Sequence, residues 1–263
     1  SVQVATYHAK NSFTNWPYST QIYDGQDFTK GVDISWWKNA ERNNSFFAYD
    51  LKEDFMGGYD HGRETGTVHI GDHNIVKGSK LWEWGSGPKG QATEAVLTEN
   101  DGPYVEIMVG AFSDNQPDYS WIKPYEVKTW KQYWYPIKDI KGFKYANLNG
   151  AVNLEQKEGN NIFLGYYSTQ KVSKAKVILR NREKVIFEKT MEISPAVTFT
   201  GTIKVEGQYK LTDLYTELVD TDTKQVLVSY QPVEQKPAGE LPEEVKRPEA
   251  AEKMATVEEL FLT

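Results

Sequence analysis

Cysteine is absent from this chain of 263 residues. Its absence excludes disulfides, thiolate nucleophiles and cysteine metal sites, but leaves the cellular compartment open. Basic residues are outnumbered, so that the net charge is −7 and the pI is near 5.3. Nucleic acids and anionic membranes are bound by basic surfaces, so we expect neither as a partner. No apolar run approaches the roughly 18 residues of a transmembrane helix, and we therefore expect no membrane span.

Tryptophan and histidine are missing beyond residue 134. All eight tryptophans lie between Trp16 and Trp134, and all four histidines lie within the first 73 residues. Residues 1–150 alternate short strand-like runs with Gly, Pro, Asn and Asp clusters, and we find no amphipathic helix pattern there. Residues 151–233 show strand patterns at a spacing of roughly 10 to 12 residues, which is typical of an immunoglobulin-like sandwich. We therefore predict an all-β protein with two sandwiches.

The two ends of the sequence indicate a piece of a longer protein. The chain begins at Ser1 in a strand-like run without a methionine. Residues 234–263 form a charged linker and the start of a helix, in which Thr256 and Glu259 have the spacing of a capping box. The apolar face that follows stops within its first turns, so we expect a repeat array beyond it.

The stretch FSDNQPDYSW, residues 112–121, is rich in polar and aromatic side chains. A plain hairpin needs only a glycine or an asparagine at its tip. Asp114 and Gln116 offer hydrogen-bond acceptors and donors, and Trp121 offers a flat apolar face, a mixture that suits a carbohydrate pocket. In the alternative interpretation, the polar groups cap nearby backbone and the rings close the edge of the sandwich.

Glu106 lies in the strand-like run YVEIM, where it alternates with Val105 and Ile107. A strand there puts Glu106 on the face opposite to these two residues. It is either an exposed strand glutamate or a carboxylate on a concave sheet face, where partial burial would tune it as a general base.

The run YDHGRETGTVHIGDH contains Tyr59, Asp60 and three histidines, His61, His69 and His73. In a strand over residues 67–73, His69 and His73 share one face but lie about 13 Å apart along it. One ion cannot bridge that distance, so we predict no metal or other cofactor. We expect these five residues to line a polar pocket instead, while a metal site with His61 and one other histidine is the lesser alternative.

The run KLWEWGSGP places Trp82 and Trp84 on one strand face, with Glu83 opposite. The pair is either a platform on which a sugar ring stacks or a lid over the hydrophobic core. The second interpretation is favoured by the pattern alone.

Two resemblances bear on these residues. The stretch VEIMVGAFSDNQP with the later IKPYE is similar to the part of galactose mutarotase-like proteins, the aldose 1-epimerases, that carries their catalytic glutamate. Residues 45–150 more closely resemble a bacterial domain of unknown function that precedes tetratricopeptide repeats, through GGYDHGRETGTVHIGDH, KLWEWGSGP and DGPYVEIMVGAFSDNQPDYSW. The first resemblance implies the second half of a mutarotase-like supersandwich over residues 1–150, with Glu106 as the catalytic base.

Two functions follow as hypotheses. The first is carbohydrate recognition, with epimerase-like or glycoside hydrolase-like chemistry at the anomeric carbon left open. Its pocket would be lined by Tyr59, Asp60, His61, His69, His73, Trp82, Trp84, Asp114, Gln116 and Trp121. The second is a non-catalytic scaffold that presents a tetratricopeptide array to protein partners, since related folds host both kinds of function.

Overall fold

The computed structural model describes residues 2–11, 14–15, 17–19, 22–76, 78–99, 101–111, 122–234 and 250–257. The fold is all-β, with antiparallel sheets, as the sequence predicts. Within these ranges the strands are β1 Val2–Asn11, β2 Thr14–Asn15, β3 Tyr18–Ser19, β4 Ile22–Tyr23, β5 Gln26–Asp27, β6 Asn44–Asp60, β7 Thr65–Gly71, β8 Gly78–Glu83, β9 Val105–Gly110, β10 Gln132–Lys138, β11 Tyr145–Asn147, β12 Gly150–Lys157, β13 Asn161–Ser168, β14 Val172–Asn181, β15 Lys184–Ile193, β16 Phe199–Lys204, β17 Leu214–Asp220 and β18 Val226–Tyr230.

The first sheet has six strands and is built around the long strand β6. Strand β1 pairs with one edge of β6, while β7 and β8 follow one another along the other edge. Strand β10 then pairs with β7, and β9 pairs with β8. The register between β1 and β6 shifts between Thr6 and His8. Thr6 pairs with Met56 and His8 pairs with Leu51, so a span of two residues on β1 lies opposite a span of five on β6. Such a bulge bends the strand and re-aims its side chains.

Each face of this sheet is covered by a different part of the chain. On one face Phe28, Ile34 and Ala40, from the segment before β6, form a core with Phe46, Met56 and Leu81. On the other face Phe55, Tyr59 and Val68 pack against residues that follow β10, among them Phe143, Ala146, Ala151 and Tyr167. The sheet is therefore covered on both sides where β6 pairs with β7, and its second core is shared with the next part of the chain.

The second half of the chain is a sandwich of two four-stranded sheets, ordered β11-β12-β13-β16 and β15-β14-β17-β18. Alternate residues of these strands meet in one core, which includes Leu154, Leu164, Val177 and Leu218. Inside it the Tyr166 hydroxyl hydrogen-bonds to Thr216 Oγ1 at 2.7 Å. Strand β11 pairs with β12 within this sandwich and lies before residue 150, the predicted boundary. The division into two modules remains our proposal.

One α-helix, α1 Pro88–Leu97, interrupts the strands of the described residues. The sequence shows no amphipathic helix pattern in this part, and α1 has none, since its buried residues are Gly90 and Glu94. Pro88 stands at the helix start, where its missing N–H costs nothing. Short 3₁₀ turns cover Trp37–Asn39, Leu211–Asp213 and Ala251–Lys253. None of the helices described here is long and apolar enough to cross a membrane.

Candidate functional site

Trp82 and Glu106 are direct partners across the adjacent strands β8 and β9. Because antiparallel partners point to the same side of a sheet, their Cβ atoms lie about 4.5 to 5.5 Å apart. Lys80 and Met108 are the next pair on this side. The opposite side of β9 carries Val105, Ile107 and Val109, which pack against the core. We call the side that carries Lys80, Trp82, Glu106 and Met108 the Trp82–Glu106 face.

Tyr104 holds the Glu106 side chain from the residue just before β9. Its hydroxyl hydrogen-bonds to the Glu106 carboxylate. Burial, then the Glu106 charge, and then this hydrogen bond raise the pKa of Tyr104, so its hydroxyl stays protonated and donates the bond. Glu106 and the other residues of β9 are half-buried, so they are not sealed within the core.

Trp84 lies beyond the end of β8, which stops at Glu83. The predicted strand alternation therefore does not extend to Trp84, and the two tryptophans are not one strand platform. Trp84 is exposed, and Trp82 is half-buried. Leu81, and not Trp82, is a buried member of the core on the other side of β8, and the interpretation of the two rings as a lid stays a prediction.

Glu83 is the residue that the sequence pattern missed. It lies on the core side of β8 with Leu81 and is only 4% exposed. Neither of its carboxylate oxygens has a hydrogen-bond partner among the described residues. Burial, and secondly the neighbouring Glu94, raise the pKa of Glu83 to about 9. Glu83 is therefore a protonated carboxylic acid at neutral pH.

Glu94 reaches Glu83 from helix α1 and is also 4% exposed. Its Oε1 accepts a hydrogen bond of 2.7 Å from Trp37 Nε1. A second bond comes from the backbone N–H of Tyr104. Burial raises the pKa of Glu94, and both donors oppose the rise because they favour the charged form. Tyr104 thus contacts two carboxylates, Glu94 through its backbone and Glu106 through its hydroxyl.

Tyr59, Asp60 and His61, which the sequence predicts in the pocket, make contacts that support the fold. Tyr59 is buried, and its hydroxyl accepts the N–H of Lys141 at 3.1 Å. Asp60 accepts the N–H of Gly62 at 2.8 Å and caps the turn after β6. His61 stacks on Trp36 with ring centroids 4.6 Å apart, and burial lowers the pKa of its imidazole. They lie on β6 and in the turn that follows it, not on β8 or β9.

His69 and His73 do not share a strand face as predicted, because β7 ends at Gly71. His69 is buried against Trp134, with ring centroids 4.8 Å apart, and burial lowers its pKa to about 4. His69 is therefore neutral at physiological pH. His73 lies in the following turn, where it contacts Asp54. Asp114, Gln116 and Trp121 lie outside the described residues, as does the rest of the 112–121 loop.

Comparisons with known proteins follow the two halves of the structure. The model of a domain of unknown function, DUF5107, matches residues 5–137. The chain belongs to the DUF5107 family. A second model, that of the YphG-like protein, second domain, matches residues 145–230. Neither model describes a galactose mutarotase, so that resemblance remains a prediction.

Among solved structures, a TPR-domain containing protein is similar to part of this DUF5107 chain. That protein is from Parabacteroides distasonis ATCC 8503, and the match has 22% identity and a TM-score of 0.39. The match covers 56% of this chain and 25% of that chain. The chain therefore spans about a quarter of the length of this neighbour.

Proposed function

We propose that this DUF5107 chain recognises carbohydrate on the Trp82–Glu106 face. The observation that carries the proposal is the direct pairing of an indole with a carboxylate across β8 and β9. A sugar ring presents C–H groups on its faces and hydroxyls around its edge. An aromatic surface covers the former, and a carboxylate accepts hydrogen bonds from the latter.

Accessibility supports this face as the binding surface. Strand β9 is the last strand in the order of its sheet, so the face lies at a sheet edge among the described residues. Gly110 ends the strand, and no described atom lies within 4 Å of the position that a Cβ would occupy there. The exposed Trp84 follows β8 close by. Gly110 lies four residues from Glu106, so this open space is about 13 Å along the strand from the carboxylate.

The arrangement favours recognition over turnover. Acid and base catalysis on one sugar requires two groups that face the same substrate. Glu83 carries a proton at neutral pH, but it pairs with Val105 and points to the core side of the sheet. Glu106 points to the other side. The two carboxylates therefore cannot act as acid and base on a single ligand.

The proposal is tested with an array of immobilised mono- and oligosaccharides, followed by calorimetry on the sugars that bind. We expect Trp84→Ala to weaken binding by about two- to tenfold, on the scale of one aromatic contact. Trp130→Ala is the matched control, since Trp130 is 41% exposed and Trp84 is 40% exposed. If Trp84→Ala and Trp130→Ala bind the sugar with equal affinity, the proposed site is rejected. No binding by the wild-type chain would favour the scaffold hypothesis instead.

A further inference from the structure

Asp54, Asp72 and His73 meet at the gap between β7 and β8. Each offers one metal-ligand atom, and these atoms all lie within 4.8 Å of one another. Zn–N and Zn–O bonds are about 2.0 to 2.2 Å long, so the donors to one ion lie about 3 to 4 Å apart. Small side-chain movements therefore suffice to bring all three donors onto one ion.

Two separate features of the backbone bring the residues together. Asp54 lies in the part of β6 that has no partner in β1, because the pairing steps from Met56 directly to Leu51. His73 lies in the turn after β7, and its backbone N–H donates to Asp54 Oδ1 at 2.9 Å. His73 Nδ1 lies 2.7 Å from the same oxygen. The strand bulge and the turn thus place an imidazole nitrogen beside a carboxylate.

The third donor, Asp72, is positioned by its own turn. One of its oxygens, Oδ1, accepts the backbone N–H of Asn74 at 2.9 Å and the side-chain amide of Asn74 at 3.0 Å. Glu53 interacts electrostatically with His73 and Asp54, while burial raises the pKa of its own carboxyl. The side chains of Asp54 and His73 are 54% and 31% exposed, so an ion can reach them from solvent. The local field attracts a cation.

We propose that Asp54, Asp72 and His73 form a binding site for a divalent transition-metal ion of the Zn²⁺ type. The imidazole distinguishes this cluster from an ordinary acidic patch. Ca²⁺ and Mg²⁺ take oxygen ligands, whereas Zn²⁺ is bound by nitrogen and carboxylate oxygen together. Three protein ligands also leave a coordination position open for water or a further ligand. This site lies apart from the Trp82–Glu106 face and does not depend on the proposed carbohydrate binding.

The test is calorimetric titration of the chelator-treated chain with ZnCl₂, and separately with CaCl₂. We expect one Zn²⁺ per chain and weaker binding of Ca²⁺. Asp54→Asn, Asp72→Asn and His73→Ala should each weaken Zn²⁺ binding by about tenfold or more, since even residues that only orient a metal ligand act on that scale. The two Asp→Asn variants keep an oxygen that accepts the present hydrogen bonds, so they should still fold if His73→Ala does not.

Asp101→Asn is the matched control, because it removes an exposed carboxylate that pairs with Arg63 instead of a histidine. It should bind Zn²⁺ as the wild-type chain does. Replacement of Zn²⁺ by Co²⁺ adds a spectroscopic measurement, since visible absorption reports nitrogen and oxygen coordination in a site of low symmetry. Three results would each overturn the proposal. The wild-type chain does not bind Zn²⁺, the folded Asp54→Asn and Asp72→Asn variants bind Zn²⁺ as tightly as the wild-type chain, or the wild-type chain binds Ca²⁺ more tightly than Zn²⁺.

Discussion

Glu83 and Glu94 lie together in the interior of the first sheet region, each only 4% exposed, one on a strand and the other on a helix. Their proximity has an electrostatic consequence, because Glu94 adds to the effect of burial in raising the pKa of Glu83 to about 9. Trp37 and the Tyr104 backbone both donate to Glu94. These two donors favour the charged form of Glu94 against the effect of burial, while Glu83 keeps its proton at neutral pH.

The first prediction concerns stability against pH. The pKa of Glu83 rises from its ordinary value of 4.5 to about 9, so between these values the folded chain holds a proton that the unfolded chain has lost. The contribution of Glu83 to the free energy of unfolding is therefore largest at low pH. It falls as the pH rises through this window, by at most about 1.4 kcal/mol per pH unit. Denaturant unfolding of Glu83→Gln should show a flatter dependence and higher stability at pH 8.

Glu188→Gln is the control for that measurement, since Glu188 pairs with Lys176 on the surface. Its pH dependence should match that of the wild-type chain. If the free energy of unfolding of Glu83→Gln has the same slope against pH between pH 5 and pH 9 as that of the wild-type chain, the assignment of a neutral buried Glu83 is wrong.

The second prediction concerns the hydrogen bond from Trp37 to Glu94. Trp37→Phe keeps an aromatic ring but removes the Nε1 donor, and leaves a buried carboxylate with one partner fewer. Hydrogen bonds to charged groups contribute roughly 1.5 to 3 kcal/mol, so we expect a loss of about that size in the free energy of unfolding. Trp130→Phe, at an exposed position, should change stability by less than about 0.5 kcal/mol.

Strand alternation predicted the faces of β9 correctly but could not decide those of β8. Val105, Ile107 and Val109 share one side, and only that side has apolar residues suited to a core. In β8 the alternation sets Leu81 and Glu83 against Lys80 and Trp82, and each set contains one large apolar residue. Because Trp82 is the larger apolar residue, the pattern favours its side of β8 as the core side. That choice puts Glu83 on the exposed side, so its burial was missed.

Helix α1 was missed because its burial pattern is reversed. Its buried residues are Gly90 and Glu94, whereas Val96 and Leu97 are exposed. A search for an apolar stripe cannot find such a helix. The contact between Asp54 and His73 also gave no local signal, since it depends on the pairing of β6 with β7 and on the bulge in β6.

The third prediction uses two glycines with opposite surroundings. A Cβ at Gly90 would lie 1.9 Å from the carbonyl oxygen of Gly85 and 2.5 Å from that of Trp84. Gly90→Ala should therefore destabilise the chain by several kcal/mol, although alanine favours a helix by about 1 kcal/mol over glycine. Gly110→Ala, with no described atom within 4 Å of its Cβ, should change stability little. Thermal unfolding measures both, and a neutral Gly90→Ala would contradict the observed packing of α1.

The last prediction separates the two faces of β8 and β9 by function. Glu106 and Glu83 lie on neighbouring strands but point to opposite sides of the sheet. If sugar binds on the Trp82–Glu106 face, Glu106→Gln keeps the shape and one acceptor oxygen but loses the charge. Replacing a charge-assisted hydrogen bond by a neutral one should then weaken binding by less than about tenfold. It should abolish any turnover, because an amide cannot accept a proton as a general base.

Glu83→Gln should change neither binding nor turnover, although it changes the dependence of stability on pH. Calorimetry and a reducing-sugar or mutarotation assay measure the two effects on both variants. Loss of sugar binding in a folded Glu83→Gln variant, with Glu106→Gln unaffected, would place the ligand on the core side and reject the proposed face.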